Sequence, residues 1–151
     1  MNWISTNFAD FLTTVSILVA LLTWLLTQKK NSQKDRINFT LQVLGQTKTL
    51  EHLAKADFLI NKAINENVKI ELADMNLELE SAAFLMLNYY EDLSTWHEIG
   101  IIDGEILKHL RGGLMKRTYI LFEPYINNYR KKQNRNEIYK KLNKFIGAVE
   151  Y

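Results

Sequence analysis

The sequence predicts an all-α protein without a sheet: one N-terminal transmembrane helix followed by a small cytoplasmic bundle of about four to six helices. Three observations predict this fold. The 151 residues include 6 Gly and only 1 Pro, so few positions favour tight turns. Residues 11–28 carry no charge. Elsewhere apolar residues recur at intervals of three and four, and no stretch alternates with period two for long enough to indicate a strand.

The uncharged run of residues 11–28 is just long enough for a membrane span, because eighteen helical residues cover about 27 Å. A buried soluble helix would show a polar stripe, but Ile17 to Leu22 is apolar on every side. A cleavable signal peptide normally begins with a positive charge, and the first ten residues hold no Lys or Arg. We therefore expect a single-pass anchor rather than either alternative.

Positive charges follow the run at Lys29, Lys30, Lys34 and Arg36. The positive-inside bias then predicts a protein of the inner (cytoplasmic) membrane, with its N-terminus outside and its C-terminal domain in the cytoplasm. The same four side chains are predicted to contact the membrane surface. The sequence is predicted to divide into four parts: a short extracytoplasmic N-terminus (residues 1–10), a transmembrane helix (11–28), a basic juxtamembrane helix (29–49) and a cytoplasmic helical domain (50–151).

Start and stop signals divide the remainder into helices. Gly45 and Thr47 offer a stop for the helix that continues outward from the span, and a second helix begins near Leu50. Gly100 is placed to end a third helix, and Asp103 to cap the next one. The third helix has the clearest apolar face, formed by Leu79, Ala82, Met86, Tyr89, Leu93 and Trp96.

The net charge of +2 hides an uneven distribution. Residues 1–50 carry five basic and two acidic side chains, for a net charge of +3. Residues 51–104 carry three basic and eleven acidic side chains (−8), and residues 105–151 carry eleven basic and four acidic side chains (+7). Pairing between the acidic middle and the basic end is therefore expected. Specifically, Glu91 is predicted to receive Arg111 or Arg117 beside Tyr90, as a structural ion pair.

Chemistry-bearing motifs are few. The absence of cysteine excludes disulfides, thiolate metal sites and cysteine nucleophiles, and the three histidines do not fall at metal-ligand spacing. His97 and Glu98 could form an acid/base pair, but adjacent residues point to different faces of a helix, so solvated helix-end residues are favoured. Neither a metal nor another cofactor is predicted.

The basic stretch "YRKKQNRNEIYKK" has two interpretations. Its charges and its tyrosines, Tyr129 and Tyr139, are typical of a nucleic-acid surface. Lipid headgroups or the acidic middle of the same chain explain the charges equally simply, and we favour these.

The last 65 residues carry a further signal, in "LNYYE" at 87–91, "GIID" at 100–103, Arg111 with Arg117, and Arg130 with Tyr139. This pattern resembles a bacterial family of small proteins, domain of unknown function 4760. The resemblance implies a single N-terminal membrane span followed by a helical domain, and it implies no activity.

We therefore predict a membrane-anchored helical interaction module, an accessory subunit or a sensor, with the lipid bilayer and a protein partner or second copy as partners. Nucleic acid is not expected, and a small-molecule ligand is left open. The alternative is a membrane-bound enzyme with a pocket between the third and fifth helices. The residues predicted to be structural or functional are Tyr90, Glu91, Asp103, Arg111, Arg117 and Arg130.

Overall fold

The computed structural model describes residues 2–66 and 75–149, with side chains from residue 15 onward. Every regular element in these residues is helical, as predicted. The elements are α1 Asn2–Thr49, α2 Glu51–Asn65, α3 Leu77–Glu98, α4 Gly104–Leu107, α5 Gly113–Leu121, α6 Glu123–Gln133 and α7 Lys140–Gly147. A π-helical turn, Lys108–Gly112, joins α4 to α5, so the described residues form six continuous helical stretches.

The predicted membrane span is not supported. Among the residues that the structure describes, none of the helices combines the length and the apolar character that a bilayer crossing requires. The side chains of residues 11–14 lie outside the described ones. Neither the predicted transmembrane helix nor the predicted inner-membrane location is therefore supported.

The chain divides into two units, Met1–Arg36 and Ile37–Tyr151. The second unit begins earlier than the predicted residue 50, because the end of α1 contributes to its core through the buried Thr40, Val43, Leu44 and Thr47. α1 therefore passes Gly45 and ends at Thr49, two residues after the stop predicted at Gly45 and Thr47. Burial of these side chains outweighs the modest cost of a glycine inside a helix.

Local capping sets both ends of α3. The Asn76 side chain accepts a hydrogen bond from the Leu79 N–H at 2.8 Å, at the N-terminus. Gly100 adopts a φ of 77°, which a residue with a side chain rarely takes. Its N–H donates to the His97 carbonyl, and the Ile101 N–H donates to the Trp96 carbonyl at 2.9 Å. These two bonds form a Schellman motif, so the predicted end at Gly100 is confirmed.

α3 lies at the centre of the second unit and packs against α2, α5 and α7. Its apolar face is wider than the predicted stripe, because Ala83, Leu87 and Tyr90 are also fully buried. Pro124 occupies the first turn of α6, where a missing N–H costs nothing. The largest fully buried side chains are Tyr90, Phe122, Ile60, Met86, Leu87, Leu93, Ile102, Leu107, Met115, Ile126 and Leu142.

Candidate functional site: the groove between α2 and α3

Glu91 connects α3 to α7 rather than to an arginine. Its carboxylate accepts hydrogen bonds from the N–H groups of Lys141 at 3.1 Å and Leu142 at 2.7 Å. Tyr139, which precedes α7 in a left-handed conformation, provides no side-chain cap, so Glu91 satisfies these two N–H groups from another helix. The predicted pairing of Glu91 with Arg111 or Arg117 is therefore wrong, and Arg117 is exposed on α5.

Asp103 and Arg130 also hold backbone in place. The Asp103 carboxylate accepts hydrogen bonds from the N–H groups of Glu105 and Ile106, both at 3.1 Å, so its predicted capping role is confirmed. Its own N–H donates to the buried Thr40 hydroxyl at 2.7 Å. The Arg130 guanidinium donates to the Ile138 carbonyl at 2.7 and 2.9 Å, which fixes the turn that precedes α7.

Arg111 lies in the π-helical turn and joins three helices. It donates to the Thr47 hydroxyl of α1 at 2.5 Å, and its other terminal nitrogen lies 3.8 Å from an Asp57 carboxylate oxygen of α2. Both charged side chains are mostly buried, at 15% and 24% exposure. Nearby on α3, burial raises the pKa of Tyr90, and the negative charge of Asp57 raises it further. Tyr90 therefore stays protonated at neutral pH, and the cluster ties helices together.

The basic side chains that follow the predicted span lie at or near the surface. Lys29, Lys30 and Lys34 are exposed in the first unit, and Arg36 is half-buried. Their predicted contact with a membrane surface depended on the span that is corrected above.

A groove of about 530 Å³ opens between α2 and α3. Ala56 and Ala82 lie at its floor, where their small side chains leave space between the two helices. Leu59, Leu77 and Leu85 form apolar walls, and Leu77 is 78% exposed. The polar side chains that line it are His52, Lys55, Glu78 and Ser81. The groove is therefore an apolar concavity with a polar rim, within the size range of ligand and side-chain pockets.

The rim carries an exposed ion pair between the two helices. Lys55 and Glu78 meet at 2.7 Å, with side chains 66% and 56% exposed. The hydrogen bond to Glu78 and its charge raise the pKa of Lys55, and the charge of Glu51 adds to this. The bond to Lys55 lowers the pKa of Glu78. The Lys55 ammonium thus has two carboxylates nearby, of which Glu78 lines the groove.

A smaller concavity of about 150 Å³ lies among α3, the π-helical turn and α7. Lys141 and Lys144 both pair with Glu98, Lys144 at 2.9 Å, and hydrogen bonds from the two lysines lower the Glu98 pKa to about 2. The His97 ring packs edge-on against Phe145, with centroids 5.4 Å apart. His97 and Glu98 therefore do not act as a pair: one packs against α7 and the other neutralises its lysines.

In the described residues, no group of three or more His, Asp or Glu side chains is placed to hold a metal ion. Residues 11–148 match the family described as domain of unknown function (DUF4760). The chain belongs to this family. No curated protein and no solved structure matches the chain.

In this DUF4760 chain, four charged residues of the predicted pattern hold helices or turns in place, namely Glu91, Asp103, Arg111 and Arg130. Arg117 is exposed, and none of the five lines the groove. Sequence reasoning missed the groove residues altogether. The available signal was the pair of alanines, because Ala56 and Ala82 each fall on an apolar helix face where larger residues alternate with small ones. Two small residues on facing helices leave space that larger neighbours wall in.

Proposed function

We propose that this DUF4760 chain is a helical interaction module that binds an amphipathic helix of a partner protein in the groove between α2 and α3. The observation that carries the proposal is the composition of the groove: an alanine floor, leucine walls and an ionic rim at the protein surface. Helix-in-groove recognition uses this arrangement, with apolar anchors of the partner at intervals of three, four and seven residues.

The size of the groove supports a side-chain anchor. A volume of about 530 Å³ accommodates two or three Leu- or Phe-sized side chains, and Leu77 and Leu85 are available to pack against them. Leu77 in particular is 78% exposed, and burying it under a partner removes apolar surface from water.

Charge specifies the chemistry of the partner. Lys55 has two carboxylates nearby, Glu78 on the rim and Glu51 on α2, and α3 contains five acidic residues but no Lys or Arg. Two of those five, Glu91 and Glu98, already bind α7. Of the other three, Glu78 lines the groove. A partner helix with Lys or Arg beside its apolar anchors is complementary to the carboxylates of Glu78 and Glu51.

The test uses the full chain and a synthetic amphipathic helical peptide, with Leu at intervals of three and four and flanking Lys. Binding is measured by fluorescence anisotropy and by the chemical shifts of groove residues. Ser81→Trp fills the groove from an exposed position and is expected to weaken binding at least tenfold. Ile120→Trp adds the same side chain at an exposed position of α5 and serves as the matched control.

The charge test is independent of the steric one. Glu78→Lys is expected to weaken the Lys peptide several-fold and to strengthen binding of a Glu-flanked version, whereas Glu137→Lys at another exposed ion pair changes neither. Equal binding of both peptides to wild type, or binding that Ser81→Trp leaves intact, contradicts the proposal.

A further inference from the structure

Four polar side chains meet in the interior of the second unit and are called the Arg111 cluster. They are Asp57 of α2, Tyr90 of α3, Arg111 of the π-helical turn and Thr118 of α5. Tyr90 and Thr118 are fully buried. The charges of Asp57 and Arg111 and the hydroxyl of Thr118 all act on the Tyr90 hydroxyl, so the four groups are neighbours.

Three oxygen atoms of the Arg111 cluster lack a hydrogen-bond partner among the residues that the structure describes. They are Tyr90 Oη, Thr118 Oγ1 and Asp57 Oδ1, and all three are shielded from solvent. The hydroxyls of Tyr90 and Thr118 influence each other but do not reach the geometry of a direct hydrogen bond. Buried polar atoms in folded proteins nearly always bind either a protein group or an ordered water. Three such atoms in one cluster therefore indicate a shared partner.

The ion pair of the Arg111 cluster is too long for a direct hydrogen bond. Arg111 Nη1 lies 3.8 Å from Asp57 Oδ1, whereas N–H···O bonds measure about 2.7–3.2 Å. The other terminal nitrogen, Nη2, donates to the Thr47 hydroxyl at 2.5 Å, which holds the guanidinium on that side. A bridging water is expected between polar groups that are more than about 3.5 Å apart.

Charge and hydrogen-bond chemistry select the ligand. A cation would be repelled by the Arg111 guanidinium and an anion by the Asp57 carboxylate, so a neutral molecule is favoured. The ligand must both donate and accept, because Arg111 only donates, the carboxylate only accepts, and the hydroxyls of Tyr90 and Thr118 can do either. Water meets these requirements and is small enough for a packed core. We infer that the Arg111 cluster binds one internal water molecule.

The water has a complete set of partners in this position. It accepts hydrogen bonds from Arg111 Nη1 and the Tyr90 hydroxyl, and it donates to Asp57 Oδ1 and Thr118 Oγ1. Internal waters make about two to four hydrogen bonds. Atoms 3.8 Å apart can both lie about 2.9 Å from a water beside the line that joins them. The water thus joins α2, α3, α5 and the π-helical turn.

A crystal structure of the full chain that resolves ordered water tests the inference directly. We expect one water within about 3.2 Å of Tyr90 Oη, Thr118 Oγ1 and Asp57 Oδ1. A direct hydrogen bond from the Tyr90 hydroxyl to Asp57 or Thr118, without a water between them, overturns the inference. An ion at the same position also overturns it.

Magnetic relaxation dispersion of water oxygen counts long-lived internal waters in solution. Thr118→Val replaces the hydroxyl with a methyl group of similar size that cannot bind water, so the count is expected to fall by one. Thr118→Ser keeps the hydroxyl and should keep the count. Thr95→Val is the matched control, because the Thr95 hydroxyl donates to the Glu91 carbonyl of its own helix at 2.9 Å.

The outcomes in solution are equally decisive. Equal counts for wild type and Thr118→Val overturn the inference, and so does an equal loss in Thr95→Val. If Thr118→Val does not fold, the crystal structure of the wild-type chain decides alone. None of these variants lies in the groove between α2 and α3, so either result leaves peptide binding there measurable on its own.

Discussion

The two ends of α1 use similar residues in opposite ways. Between residues 15 and 26 the leucines and valines are exposed, and the Thr23 hydroxyl bonds only within its own helix. Near the C-terminal end, Val43 and Leu44 are buried, and the hydroxyl of Thr40 accepts a hydrogen bond from a backbone N–H 63 residues away. The Thr47 hydroxyl likewise accepts a hydrogen bond from Arg111, which lies 64 residues away in the sequence. Hydropathy alone therefore does not determine which part of a helix belongs to the core.

The difference between the two ends of α1 shows what a contact with a distant helix of the same chain provides. A threonine that meets a donor or a charge from a distant helix is buried at no polar cost, whereas a leucine without a facing element stays exposed. The four predictions below compare a long-range contact with a local or absent one, so each can be checked against a matched control.

The largest expected difference is between two leucines of α1. Leu44→Ala removes a side chain that is 5% exposed and is expected to lower the free energy of unfolding of the second unit by about 3 kcal/mol. Leu22→Ala, at 59% exposure, is expected to change the same transition by less than about 0.5 kcal/mol. Urea unfolding followed by circular dichroism measures both. Similar losses for the two variants would remove the distinction between the ends of α1.

The next largest effect concerns a cap from another helix. Glu91→Ala leaves the N–H groups of Lys141 and Leu142 without their acceptor, and we expect a loss of about 2 kcal/mol in the free energy of unfolding. Glu91→Gln keeps an acceptor oxygen and is expected to lose less. Glu105→Ala removes an exposed carboxylate whose ion pair is local, and it should cost less than about 0.5 kcal/mol. A Glu91→Ala variant with the free energy of unfolding of wild type would contradict the capping role of Glu91.

A smaller difference is expected between two threonines. Thr47→Val keeps the shape of the side chain but leaves the mostly buried Arg111 without its hydroxyl acceptor, which is expected to cost about 1.5 kcal/mol. Thr23→Val removes an exposed hydroxyl that bonds only to its own helix, and the unfolding of the second unit should not change measurably. Thermal melts in which Thr23→Val costs as much as Thr47→Val would show that the distance along the chain does not matter.

The smallest effect is a pH dependence. Hydrogen bonds from Lys141 and Lys144 lower the Glu98 pKa from 4.5 to about 2, so the contribution of Glu98 to stability is fully present above pH 4.5 and is lost as the pH falls toward 2. The difference in urea midpoint between wild type and Glu98→Gln should therefore shrink across this window. At neutral pH, Lys141→Gln should reduce the effect of Glu98→Gln on the urea midpoint. Lys140→Gln removes a lysine that pairs with Glu137 and should leave this effect unchanged.

Local signals in the sequence predicted local structure well. Asp103 and Gly100 were recognised as caps because each acts on backbone groups within a few residues of itself. The resemblance to the domain of unknown function was also confirmed, since it covers most of the chain.

Non-local features could not be predicted from these signals. Periodicity shows that α3 has an apolar face, but it does not show that Ala56 and Ala82 meet and leave a groove. The acceptor role of Glu91 depends on a backbone turn about 50 residues away, so charge alone favoured an arginine. The span was wrong because an apolar run indicates surface that needs cover without identifying what covers it.

The π-helical turn Lys108–Gly112 holds one residue more than an α-helical turn, because its hydrogen bonds join residues five apart. Deleting one residue there is expected to convert the stretch to α-helix and to rotate the preceding part by about 100° relative to α5. A single-residue gap between the counterparts of Asp103 and Thr118 in an aligned relative therefore marks a change of helix register rather than a shortened loop. Such a relative is not expected to keep an arginine facing Asp57.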